Sequence, residues 1–90
     1  MFMLCRSRVA NYETWKAVFD SHAQLHREAG LTFSGHWRCV DEPNNVFFMF
    51  EVADKDRAED FCNSPESVKA GEDAGVIDGE YHYVERAPGY

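Results

Sequence analysis

Residues 46–52 read Val46-Phe47-Phe48-Met49-Phe50-Glu51-Val52. A strand with one wet face alternates apolar and polar residues, because successive side chains leave opposite sides. The unbroken apolar run from Val46 to Phe50 therefore asks for cover on both sides. Helices can cover one side of a sheet. In a short chain, the simplest cover for the other side is a second copy, packed sheet against sheet in a closed two-fold homodimer. Phe2-Met3-Leu4-Cys5, near the start, repeats the same double-sided pattern.

Outward from this run, the punctuation is clear on both flanks. Upstream, Asp41-Glu42-Pro43-Asn44-Asn45 is turn chemistry, preceded by a strand over 31–40. Gly30 is a helix stop, and the helix it ends begins at an Asn11 cap with Glu13 in its first turn. Residues 2–9 form the first strand. Downstream, residues 54–74 read as a helical region in two pieces. Asp54 or Asp56 caps the first, and Ser64 with Pro65 at the first helical position restarts the second. Gly75 ends it, and residues 76–86 form a fourth strand. The order β-α-β-β-α-β predicts a ferredoxin-like α+β fold, a four-stranded antiparallel sheet with two helices on one face. Residues 1–86 make a single domain, and 87–90 a C-terminal tail.

Composition bounds the function. The chain has 90 residues, 44% of them hydrophobic and 14% aromatic, which suits one small globular domain. No run approaches the ~20 apolar residues of a membrane span. The apolar opening is followed at once by Arg6 and Arg8 and lacks a cleavage site, so no signal peptide is expected. Cys5, Cys39 and Cys62 are odd in number and widely spaced, with no C-x-x-C. That argues against a zinc ribbon or thioredoxin motif and for free thiols in a reducing, cytoplasmic setting. The formal charge is −7. Residues 41–90 carry thirteen acids against four bases, and Arg6 with Arg8 is the only tight basic pair. Nucleic acid and anionic membrane surfaces are thereby excluded as partners.

The first helical stretch carries the chemistry. On a wheel, Tyr12, Trp15, Val18, Phe19 and Leu25 form one apolar arc, and Lys16, Asp20, Gln24 and Arg27 lie opposite. His22 and His26 fall about 20° to either side of Trp15 at 100° per residue, in the middle of the sheet-packing face. Two imidazoles buried without partners would each cost roughly 1–3 kcal/mol. A ligand- or solvent-filled space between helix and sheet removes that cost. An imidazole near neutrality also suits proton removal next to a carbonyl. His22 and His26 are therefore the candidate catalytic residues, with Trp15 and Phe19 lining the substrate site. Their H-x-x-x-H spacing can clamp a metal, but it lacks the Glu of H-E-x-x-H and a definable third ligand, so neither metal nor cofactor is assigned. On the strands, Phe33, Gly35 and Trp37 should share one face and Ser34, His36 and Arg38 the other. Tyr81 and Tyr83 should oppose Glu80 and His82. His36, Trp37 and Tyr83 are further substrate-binding candidates.

The string from Val9 to Ala23, VANYETWKAVFDSHA, resembles the V-x-D-Y-x-x-W-K-x-x-F-D-x-H-A stretch of dimeric α/β-barrel proteins. The likeness continues in Asp41-Glu42-Pro43-Asn44-Asn45-Val46, Phe61-Cys62-Asn63-Ser64-Pro65-Glu66 and Ala74-Gly75-Val76. That superfamily includes antibiotic-biosynthesis monooxygenases, polyketide cyclases, muconolactone isomerases, haem-degrading enzymes and many members of unassigned function. The resemblance implies a ferredoxin-like subunit, a sheet-to-sheet dimer forming a dimeric α/β barrel, and a ligand cavity between helices and sheet lined by Trp15, Phe19 and His22. Two departures stand out. Ser67 and Gly71 replace the usual Leu and Met, which should enlarge the cavity or loosen the second helical region. Ser7 replaces a frequent His, and no haem-ligand pattern matches. The leading reading is a cofactor-independent enzyme of cyclase, isomerase or monooxygenase type acting on a hydrophobic, carbonyl-containing small molecule. Its alternatives are a non-catalytic binding protein for a hydrophobic ligand such as a fatty acyl chain, with histidines or an arginine holding its polar end, and a structural dimer.

Overall fold

Eight elements follow one another in the computed structural model, which describes residues 1–89. They are β1 (Phe2–Val9), α1 (Tyr12–Ser21), α2 (Ala23–Glu28), β2 (Leu31–Arg38), β3 (Asn45–Val52), α3 (Lys55–Cys62), α4 (Pro65–Asp73) and β4 (Val76–Val84). The strands form one antiparallel sheet in the order β2-β3-β1-β4. This is the ferredoxin-like arrangement, with each expected helical region divided in two.

The helix boundaries have local causes. Asn11 stays extended, and its Oδ1 accepts the Thr14 N–H at 3.0 Å. Asp54 accepts from Asp56 and Arg57, and Ser64 accepts from Ser67 with Pro65 at the first position. The break at His22 was not expected. A helical N–H at residue 22 should meet the Val18 carbonyl. Ser21 Oγ donates to that carbonyl at 2.6 Å, and His22 Nδ1 lies 2.8 Å from it. The His22 N–H turns to the Phe19 carbonyl at 3.1 Å. Local side chains thus take the acceptor the helix needed, and the helix ends there.

The register sorts the double-sided strands. Met3 faces Phe50 and Tyr83 across the sheet, and Cys5 faces Phe48 and Tyr81. These residues, with Val9, Leu31 and Val46, point towards the helices. Val46 is 0% exposed, and Met3, Val9 and Leu31 are each 2% exposed. Each contributes roughly 1.5–3 kcal/mol by burial. Phe47, Met49, Leu4, Arg6 and Arg8 point to the opposite face. β2 carries a bulge between Phe33 and Gly35, so Ser34 is the extra residue. Gly35 has φ +146°, which a glycine adopts freely. The bulge overturns the simple alternation. Phe33 and His36 share the helix side, while Gly35 and Trp37 share the other. The fourth strand ends at Val84, short of the expected 86, and Tyr90 of the expected tail lies outside the described residues.

Asn11→Ala should lower the unfolding free energy by about 1 kcal/mol, the usual worth of such a cap. Urea denaturation checks it, and an unchanged midpoint would mean that the cap does not anchor α1.

Candidate functional site

Between sheet and helices lies a partly open hollow of about 560 Å³. Its floor is sheet: Met3, Cys5, Leu31, Phe48 and Phe50. Trp15 and Phe19 from α1, His26 from α2 and Phe61 from α3 build an aromatic wall. Trp15 and Phe19 stack at 4.8 Å, and Phe19 meets Phe48 edge-on at 5.4 Å. The other wall is α4 and its C-cap residue, which present Ser67, Ala70, Gly71 and Ala74. Their spacing of three, four and seven residues places them on one helix face. A Cβ built on Gly71 would meet nothing within 4 Å. The hollow exists because this face is made of small side chains.

His26 is the imidazole that lines the hollow. Its ring lies 4.9 Å from Phe19, 5.1 Å from Phe50 and 5.7 Å from Phe61. Among the described residues it has no hydrogen-bond partner. Burial, then the neighbouring His22 and Arg27 charges, push its pKa down to about 4. At neutral pH it is an uncharged imidazole with an unshared lone pair, in an apolar setting. Two thiols share the hollow. Burial, then Cys62, pushes Cys5 up to about 12, and burial followed by Glu59 raises Cys62. Both remain protonated near neutrality and are poor nucleophiles. Tyr81 Oη donates to Glu59 at 3.4 Å.

The residues expected from sequence separate into two groups. Trp15, Phe19 and His26 come together on the hollow. His22, His36, Trp37 and Tyr83 are not among its lining residues. His22 sits at the helix break, its Nδ1 against the Val18 carbonyl at 2.8 Å. The wheel placed it beside His26 by assuming one continuous helix. His36 Nε2 pairs with Tyr12 Oη at 2.9 Å, while the Arg38 guanidinium lies 3.9 Å over the Tyr12 ring. Trp37 is 53% exposed on the face away from the helices, where the bulge sends it. Tyr83 packs on the Met3 side of the core under Lys55, and its buried Oη has no partner among the described residues. Sequence reasoning passed over Cys5, Phe48, Phe50, Phe61 and Cys62 as lining residues. The strand register would have shown Cys5, Phe48 and Phe50, and the docking of α3 on the sheet Phe61 and Cys62, whereas Ser67 and Gly71 were signalled by their small size. Among the described residues, no group of three or more His, Cys, Asp or Glu could hold a metal ion.

No family model matches the chain, and no curated protein matches it significantly. Solved structures do. A protein from Bordetella bronchiseptica, provisionally assigned as an antibiotic biosynthesis monooxygenase, superposes with a TM-score of 0.78 at 13% identity, over 96% of this chain and 95% of that one. One from Bacteroides thetaiotaomicron with the same provisional assignment gives 0.70 at 18% identity, over 100% and 92%. A NIPSNAP family protein of unknown function from Agrobacterium tumefaciens gives 0.71 at 9% identity, over 99% and 89%. The likeness is one of fold. It confirms the ferredoxin-like architecture and leaves the reaction to be argued from the site.

An imidazole whose folded pKa lies below its ordinary 6.5 takes up protons more readily in the unfolded chain. His26 should therefore cost stability as pH falls from 6.5 towards 4. His26→Phe should remove that loss. Urea midpoints of the unsubstituted protein should fall more steeply than those of the variant between about pH 7 and about pH 4.5. Parallel curves would contradict a buried, neutral His26.

Proposed function

We propose that the hollow takes an apolar small molecule bearing a carbonyl group, with His26 as the side chain that meets the reactive end. The observation that carries this reading is a neutral imidazole without a hydrogen-bond partner among the described residues, set in a ring-lined space of about 560 Å³. That volume lies within the roughly 300–1,000 Å³ usual for small-molecule sites. Rings supply non-specific affinity, and one polar group fixes orientation.

The chemistry open to such a site is proton transfer. A neutral imidazole can accept a proton from carbon next to a carbonyl, and the imidazolium so formed can return it elsewhere on the ligand. Isomerisation and cyclisation need no more than this. The provisional assignment of similarly folded proteins as monooxygenases supports an enzyme reading in general. Binding without turnover is the second reading. It is favoured by the lack, among the described residues, of a side chain that orients His26 as a third group orients a catalytic base. Protein purified with its ligand, identified by native mass spectrometry, separates the two. An enzyme should incorporate solvent deuterium into that ligand next to the carbonyl, and His26→Gln should slow the exchange by about a hundredfold or more. No exchange in the unsubstituted protein would leave binding alone, and unchanged exchange in His26→Gln would remove His26 from the chemistry.

The reading includes a homodimer in a reducing, cytoplasmic compartment, where Cys5, Cys39 and Cys62 stay free. The sheet face away from the helices supports the dimer. Leu4 is 39% exposed there and Trp37 53%, beside Phe47 and Met49. Covering them would remove the largest apolar cost at this surface. Sedimentation should give twice the 10.4 kDa chain mass. Met49→Glu should shift it to a single chain, and a monomer without substitution would overturn the dimer.

A further inference from the structure

We infer that the hollow selects uncharged ligands, an apolar body with one hydrogen-bonding group, and rejects carboxylates and other ions. This rests on the reading of the hollow as a ligand site. The sequence left open an acyl ligand whose polar end is held by histidines or by an arginine, and the geometry argues against that end being a carboxylate. Among the lining residues, only Arg6 and Glu80 carry full charges at neutral pH. Both belong to the sheet face turned away from the helices, where they stand opposite each other on β1 and β4.

Both are also paired on that face. Arg6 donates through Nε to Glu80 at 3.2 Å, through Nη1 to Asn45 at 2.9 Å and through Nη2 to Asp78 at 3.2 Å. The second Glu80 oxygen lies 2.9 Å from His82 Nε2. Arg8 is committed to Asp78. Other cations nearby point elsewhere. Lys55 Nζ lies 5.0 Å over the Tyr83 ring, and Arg57 donates to the Glu28 carbonyl. The polar groups left facing the hollow are the His26 imidazole, the Cys5 and Cys62 thiols and the Ser7, Ser67 and Tyr81 hydroxyls, all neutral donors or acceptors. An ion entering this space would give up its hydration and meet only charges already paired with each other. A carbonyl or hydroxyl exchanges one hydrogen bond with water for one with the protein and loses little.

Two dyes that share a body isolate the charge. N-phenyl-1-naphthylamine is uncharged, whereas 8-anilinonaphthalene-1-sulfonate adds a sulfonate to the same rings. In fluorescence titrations near neutral pH, the uncharged dye should bind about tenfold tighter or more. Gly71→Leu and, separately, Ser67→Leu should each remove its binding while circular dichroism stays unchanged, because both add bulk inside the hollow. Equal or tighter binding of the sulfonate, lost in the same variants, would overturn the selection for neutral ligands while leaving the ligand site intact. Binding of neither dye, or binding that survives both substitutions in folded protein, would overturn the ligand site itself and the selection with it.

Discussion

A helix whose sheet-facing positions are Ser67, Ala70, Gly71 and Ala74 cannot reach the rings beneath it. That shortage of side-chain volume is the constraint on which the rest depends. Elsewhere side chains fill the space between the layers, with Val46, Ala58, Met3 and Leu31 at 2% exposure or less. Gly71 has no conformational reason to be glycine. It is not among the positive-φ residues, and nothing crowds its missing side chain. In a helix it costs roughly 1 kcal/mol against alanine. The fold tolerates that cost where it keeps space open, and the open space is where the aromatic wall and His26 converge.

Two histidines one helical turn apart have different environments. His26 lies among three phenylalanine rings, and burial keeps it unprotonated. His22 is drawn to the Val18 carbonyl that its own backbone abandons. The break and the separation of the two rings share one cause, competition of Ser21 and His22 side chains for one acceptor. A single continuous helix would have placed both imidazoles on the hollow; the broken one leaves His26 there without His22. The charged groups follow the same economy. The arginines of β1 pair with β4 carboxylates on the face turned away from the helices, where Asn45 also accepts from Arg6.

Much of the fold was legible because it was written in punctuation and periodicity. Asn11, Asp54, Ser64-Pro65, Gly30 and Gly75 mark element ends by local chemistry. The apolar run of β3 marked a strand that asks for cover on both sides, and the helices cover the side that carries Val46, Phe48 and Phe50. What stayed hidden depends on non-local or competitive geometry. The bulge at Ser34 reverses the facing of Gly35, His36 and Trp37, and no alternation rule foresees it. The floor of the hollow is set by the β1–β3–β4 register, which pairs Cys5 with Phe48 and Tyr81. Of the candidate site, Trp15, Phe19 and His26 were readable from the first half of the helical stretch and its continuation. Of the small wall, Ser67 and Gly71 were readable as departures in size that enlarge the cavity or loosen the helical region, and Ala70 and Ala74 were not.

The central claim is that the space beside His26 is room for a ligand and not packing that side chains would fill. A high-resolution crystal structure of protein purified without denaturation tests it most directly. The expected result is ordered non-protein density against His26 and the Phe19, Phe50 and Phe61 rings, shaped as an apolar body with one polar contact. Density showing those rings collapsed onto Gly71 and Ala70, with no space between helix and sheet, would contradict it.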